Sequence, residues 1–567
     1  MKLLSKPHAF CVLLVVAWAG AVSGQNRALR QRESNPNYRQ GDWISYSVAR
    51  YVTSIAVGTQ YVYFGTAQSG ILRFDQFQNR WDFPWTTSNG LADNEIWTVA
   101  FDRDTGYLWC ASRTAISYYH PTAERWTNYF KDEFGLPFQD EVTSIGVTPT
   151  RILFETRAGR LFEANKYGGV VLVADKNGLS LGTAREVRWF GKRGNHRGKL
   201  PHFFMSDGYL FDPGGFVEDA QFRSAEITAA VKDDWGNLWI ATWGLGAGRG
   251  DVNSLQMEML HFGLGSAAVT AMNFHDNVLW LGGIGGREPN RAGITAWDLD
   301  RESWEYFEQR NISELRNDTI NSITVDGRYL WFATNYGLSR YSTRERLWKT
   351  FTSFTGLSDN RVFDVVVNDT AVFVATANGI DTISKRRLAK AKKDSLRFRE
   401  LSPGSLTLVE VYDLELMENL LWAATNRGVY VYDLNTKIGG FADEPLGPTG
   451  RVINAISRYG SELWFASNRG IDVYDVKRKK WLGVPEGRFF PNQPFYRLVA
   501  SKQAVWAASD EGVMKFDRKS RAWRTFTTED GLLDNRVRSI LLDGDYVWFG
   551  TARGLTQFFW NDPRRVD

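Results

Sequence analysis

Alternating apolar and polar positions recur along the chain in groups of four short segments. The pattern is clearest in Ile320-Asn-Ser-Ile-Thr-Val325, Leu330-Trp-Phe-Ala-Thr334, Gly337-Leu-Ser-Arg-Tyr341 and Trp348-Lys-Thr-Phe-Thr352. Each segment is strand-length and rich in β-branched and aromatic residues. The joints carry hairpin chemistry, as at Asp326-Gly327, Asp543-Gly544 and Gly236-Asn237. Leu/Val-Trp pairs mark the repeat at Trp331, Trp422, Trp464, Trp506 and Trp548, with Phe373 after Trp331, at intervals of 42, 49, 42, 42 and 42 residues. Weaker copies centre on Tyr63, Trp109, Leu153, Phe203, Trp239 and Trp280, at intervals of 46, 44, 50, 36 and 41, then 51 to Trp331. Twelve units of four short antiparallel strands predict an all-β fold of propeller blades. No 3.6-residue periodicity supports a helical repeat.

Inner strands converge on a propeller axis, which restricts bulk. One position of the first segment is accordingly small: Ser54, Thr98, Ser144, Ala271, Ser322, Ala455 and Ser539. The second-segment aromatics and the fourth-segment Trp (Trp81, Trp126, Trp304, Trp348, Trp481, Trp523) are expected to pack between blades. Trp43-Ile-Ser-Tyr-Ser47 matches a fourth segment with no preceding three, whereas the last unit ends after three. The N-terminal strand 42–47 is therefore expected to pair with the last repeat and close it. Propellers carry four to eight blades, so two rings are expected, with repeats 1–6 over 42–318 and repeats 7–12 over 319–567. A single twelve-bladed ring is the alternative.

Ahead of the repeats, Lys2 and Lys6 precede an apolar run from Ala9 to Val22, followed by Ser23-Gly24-Gln25. This reads as a signal peptide over 1–24 and a polar linker over 25–41, with an exported mature chain in the periplasm or outside the cell. No later apolar stretch reaches the length of a membrane span. Removing the leader leaves Cys110 as the one cysteine, so no internal disulfide is expected. The formal charge of +4 becomes +2 and nominates no polyanion, and an exported protein is not expected to meet nucleic acid. The basic run from Lys385 to Lys393 is read as a solvated loop extending a hairpin, with an anionic polysaccharide or envelope surface as its functional alternative.

Leu330-Trp-Phe-Ala-Thr-Asn-Tyr-Gly-Leu-Ser-Arg-Tyr341, with the related runs 421–428, 463–470 and 547–554, resembles the two-component regulator propeller repeat. The joints Gly356-Leu-Ser-Asp-Asn360 and Gly531-Leu-Leu-Asp-Asn535 resemble that family's inter-blade linker. The resemblance covers nearly all of the mature chain and is sharpest from about 320 to 560. It implies paired propellers like the periplasmic sensing parts of hybrid sensor kinases, which respond to oligosaccharides. The β-sandwich, membrane helix, kinase and receiver modules of those sensors are not found in this sequence. The implied function is thus an exported recognition module for an oligosaccharide or an envelope or extracellular protein.

The candidate ligand-binding residues lie in the Gly-Leu-X-Asp-Asn joints that return the chain from rim to axis: Asp93, Asn94, Asp359, Asn360, Arg361, Asp534, Asn535 and Arg536. Carboxylate, amide and guanidinium groups at a channel mouth suit sugar hydroxyls or a peptide. Asp and Asn also cap turns, and both roles hold together. No nucleophile-elbow, zinc-protease or phosphate-loop motif appears, and His120, His196, His202, His261 and His275 lack metal-ligand spacing. Asp102-Arg-Asp-Thr-Gly106 faintly matches a calcium loop but occurs once, as a hairpin turn would. No catalytic residue, metal or cofactor is assigned. A polysaccharide lyase or glycoside hydrolase, and a protein assembly scaffold, remain the alternative functions.

Overall fold

The structure, a computed structural model, describes residues 38–565 except 134, 169–171, 174–186, 196–198, 287–292, 391–396, 402–403, 443–451, 484–492. The expected leader and most of the linker lie outside the described residues, as does part of the basic run. All described residues fall within one unit, Arg32–Asp567.

Among these residues the strands form eleven sheets, nine of them four-stranded, numbered here as blades 1 to 11 in chain order. Blades 1 to 4 span 52–85, 96–130, 142–191 and 204–260. Blades 5 to 8 span 269–307, 320–351, 362–400 and 411–441, and blades 9 to 11 span 453–481, 497–526 and 537–559. The chain meanders outward through a blade from its inner strand, except that blade 4 opens with Phe204–Met205, Leu210–Asp212 and Phe216–Glu218 before its inner strand Ser224–Lys232. Trp43–Tyr46 supplies the fourth strand of blade 11, with Trp43 opposite Phe558 and Tyr46 opposite Leu555, the closure expected from the sequence. The Trp43 and Phe558 rings stack 3.8 Å apart.

The grouping of blades differs from the expectation. First strands of blades 5 to 11 adjoin in succession and blade 11 returns to blade 5, making a seven-bladed ring. Blades 1, 2 and 3 adjoin likewise, and blade 4 returns to blade 1. The strand Arg188–Gly191 pairs with the inner edge of blade 3 and lies against the inner strands of blades 1 and 2, and the turn after it reaches blade 4, where Asn195 Nδ2 donates to Thr228 O at 3.1 Å, completing a four-bladed ring. Residue 318 falls between blades 5 and 6, whose inner strands adjoin, so a cut there would divide a ring. The unit centred on Phe203 is not a blade of its own. Phe203 is buried with Phe211, Val217, Leu238 and Met257, and its segment adds the strands Phe204–Met205, Leu210–Asp212 and Phe216–Glu218 to blade 4. These strands are only two or three residues long, too short to build a blade of their own.

Blade packing follows the sequence pattern. Trp109, Trp239, Trp331, Trp464, Trp506 and Trp548 are fully buried. Several meet a Phe of the next blade, as Trp464 meets Phe516 at 6.2 Å and Trp506 meets Phe549 at 5.5 Å. The small first-strand residues do more than save space. Ser54 Oγ accepts the Val99 N–H, Thr98 Oγ1 donates to Val142 O, and Ser539 Oγ donates to Val269 O, each bond joining neighbouring blades. The chain leaves the seven-bladed ring after Tyr46 and re-enters at Val269, and at this crossing Leu264 N donates to Ser47 O at 2.9 Å. Tyr46, Trp81, Phe262, Trp297 and Trp304 pack together beside the crossing.

Candidate functional site

The three Gly-Leu-X-Asp-Asn joints share one local design. In each, the Asn side-chain oxygen accepts a backbone N–H seven residues upstream: Asn94 from Thr87, Asn360 from Ser353 and Asn535 from Thr528, all at 2.8 Å. The Asp accepts the N–H two residues on, and the Asn carbonyl accepts from Gly70, Gly337 or Gly512 of the preceding blade. The leading glycine has φ of 93° at Gly90, 93° at Gly356 and 130° at Gly531, a region that side chains disfavour. At Gly531 a Cβ would also meet Trp43 Cγ at 2.5 Å. Asn and Asp therefore cap these joints. Arg361 and Arg536 are exposed. Arg361 reaches Asp359 and Glu410, and Arg536 grips Asp534. Burial pushes the Asp534 carboxyl up, but hydrogen bonds from Arg536 outweigh it and hold the group below the usual carboxylate range. The three joints are not brought together, since Asp93 and Asn94 belong to the four-bladed ring and the other six residues to the seven-bladed one.

Beside the joints, a register shift recurs in the inner strand of ten blades, one residue after the strand begins in nine of them and at Thr228 of Ser224–Lys232 in blade 4. Such a bulge re-aims the extra residue's side chain. In the seven-bladed ring this position and its equivalent in blade 10 hold Thr270, Asn321, Phe363, Tyr412, Asn454, Tyr496 and Arg538. Thr270, Asn321 and Arg497 line an axial channel of about 580 Å³. The Phe363 and Tyr412 rings pack at 5.4 Å, and the Tyr412 hydroxyl donates to Glu410 Oε2 at 2.7 Å. The bulged Thr and Asn also stitch blades, as Asn321 donates to Val362 O and Asn454 to Phe495 O.

Inside the channel, the slot that is small in other blades holds Asp364, Asp413 and, in blade 10, Arg497. Asp364 accepts from Ser322 Oγ at 2.6 Å and Leu414 N at 3.0 Å, and Asp413 accepts from Ile456 N at 2.7 Å. Arg497 lies 3.4 Å from Asp413 and donates to Asn321 O, so it reaches from blade 10 to blades 8 and 6. Burial first, then the Asp364 charge, raises Asp413 well above the carboxylate range, against the pull of Arg497. Burial also raises Glu415, to about 7, although Arg458 lies 3.8 Å away. These four groups were missed from sequence. The signal was present, because Asp at two consecutive copies of a small-residue slot breaks the repeat.

Other candidate chemistry is quiet. Cys110 is buried, which pushes its thiol up and leaves it unreactive. Among the described residues no group of three or more His, Cys, Asp and Glu is placed to hold a metal ion. Asp102 and Asp104 instead pair with the buried Lys166. The basic run begins as a helical turn, Lys385–Lys390, rather than a loop, and Lys385 pairs with Asp326. No helix among the described residues is long and apolar enough to cross a membrane.

No family model and no curated protein matches the sequence. Solved structures do. The extracellular domain of BT4673 from B. thetaiotaomicron, assigned to a hybrid two component system, is 14% identical. The match covers 89% of this chain and 70% of that one, with a TM-score of 0.46. The corresponding domain of BT3049 from the same organism is 16% identical over 89% and 74% of the two chains, with a TM-score of 0.43. PorZ, a bacterial surface component of the type-IX secretion system of Porphyromonas gingivalis, is 15% identical over 90% and 73%, with a TM-score of 0.45.

Proposed function

We propose that the protein is an exported, noncatalytic recognition module that binds an oligosaccharide-like extracellular polymer, or a cell-envelope partner displaying one, at the mouth of the seven-bladed ring. The observation that carries this reading is the recurring bulge, which sets amide, aromatic and guanidinium side chains at one position of successive blades, Thr270 and Asn321 of that set lining the polar channel beside Arg497. Arg361 and Arg536 extend this set outward as exposed hydrogen-bond donors. Asp359, Asn360, Asp534 and Asn535 hold the joints in shape, as Asp93 and Asn94 do in the smaller ring.

The channel carboxylates favour a second reading, a polysaccharide lyase or glycoside hydrolase, because ionisable groups of both signs sit close together there. Against it, Asp364 and Asp413 already accept blade-to-blade hydrogen bonds. A glycan array probed with residues 25–567, followed by mass spectrometry of each retained glycan, separates the two. We expect retention of intact glycan, weakened at least tenfold in the Tyr412→Ala, Arg536→Ala double variant. Shortened or unsaturated products would replace this reading with the enzymatic one, and retention of no glycan would overturn both.

A further inference from the structure

The mouth of the four-bladed ring holds a separate pocket of about 390 Å³. The strand Arg188–Gly191 closes the axis, and Gly191, whose Cβ would meet Thr143 O at 2.5 Å, lines the pocket. A ligand here enters a dead end rather than a channel.

Two indoles line this pocket. Trp97 occupies the bulged position of blade 2, the counterpart of Asn321 and Tyr412 in the larger ring. Its N–H donates to Glu95 Oε1 at 3.2 Å, and the fully buried Lys131 places Nζ 3.8 Å from its ring centre. Trp243 follows the second strand of blade 4 and is 50% exposed, its ring held edge-on against Tyr51 at 5.2 Å. Both rings are thus held in place before any ligand arrives, which lowers the ordering cost of stacking a sugar on them.

Charge then narrows the ligand. Glu141 pairs with Arg157 at 2.5 Å and Glu95 with Arg113 at 3.6 Å. Lys192 also lines the pocket, is exposed, and has no ion pair among the described residues. With the carboxylates matched, the surplus charge facing a ligand is one ammonium.

We infer that this pocket is a second, independent saccharide subsite, specific for a sugar ring bearing a carboxylate, which stacks on Trp243 and places its carboxylate on Lys192. It differs from the proposed site in the seven-bladed ring in its ring and its residues. Calorimetric titration of residues 25–567 with tetragalacturonate and with neutral galactotetraose tests it. The acidic tetrasaccharide is expected to bind at least tenfold more tightly than the neutral one. Lys192→Met, at an exposed position, should bring the two to the same affinity, Trp243→Ala should abolish binding of both, and Trp243→Phe should restore it to within a few-fold. Equal affinity of the unmodified protein for the two saccharides, failure of tetragalacturonate to bind, or unchanged binding in Lys192→Met and Trp243→Ala would overturn the assignment.

Discussion

Glu415 lies in the axial channel with its side chain 26% exposed, and burial raises its carboxyl to about 7. A carboxyl that holds its proton more tightly when folded favours folding most below its unfolded pKa of about 4.5, and this contribution is lost as pH rises through 7. Stability should therefore decline between about pH 4.5 and 7, with Glu415 accounting for roughly 1–2 kcal/mol after discounting for its partial exposure. Asp413, raised by burial and by Asp364, acts in the same direction. Urea unfolding midpoints across this range should show a shallower decline in Glu415→Gln than in the unmodified protein. Identical slopes would mean that folding leaves the Glu415 carboxyl at its ordinary pKa. At this same scale the joint residues explain their own pattern. Gly531 is glycine because Trp43 lies where a Cβ would be, and Asn535 is asparagine because its amide oxygen replaces water at the Thr528 N–H.

The element on which the larger ring depends most is the four-residue strand Trp43–Tyr46. It donates no blade of its own, yet it removes the open edge of blade 11, and its Trp43 packs against Phe526, Phe549 and Phe558. Ser45 adds side-chain hydrogen bonds to Thr556 and to Ser88 of the four-bladed ring. Trp43→Ala should cost about 3–5 kcal/mol, the range for emptying a buried aromatic site, and should broaden the guanidinium transition as blade 11 frays first. A loss below about 1 kcal/mol would show that the closure contributes little. The other element of consequence is Arg188–Gly191, which pairs on the inner rather than the outer edge of its blade. It lies against the inner strands of blades 1 and 2, and the turn after it carries Asn195 to Thr228 O, so one extra strand and its turn bridge blades 3 and 4.

For the whole molecule, the order of the chain matters more than the number of blades. The four-bladed ring is an insertion into the seven-bladed one, entered after Tyr46 and left before Val269, at points already hydrogen-bonded through Ser47 and Leu264. Replacing residues 48–263 with a short glycine linker should leave the seven-bladed ring folded, with one cooperative thermal transition and a β-type circular dichroism spectrum. Its Tyr46–Trp297–Trp304 cluster would be newly exposed, so a lower solubility is expected. Loss of all cooperative unfolding in this deletion would mean that the two rings form one folding unit.

The sequence by itself determined the blade, the closing strand and the joint. The blade and the joint are local: hairpins, alternation and an aromatic marker recurring about every 42 residues act within the reach of one repeat, while the closing strand was legible because a lone fourth segment at one end matches the one missing at the other. Tertiary structure alone decided the division into four and seven, the absorption of the Phe203 segment into blade 4, and the convergence of Asp364, Asp413, Glu415 and Arg497 on one axis. The physical reason is that inner strands choose their neighbours by packing across 40 residues or more, where every blade offers nearly the same edge. Which blade meets which is then set by how many fit around an axis, and no single repeat carries that information.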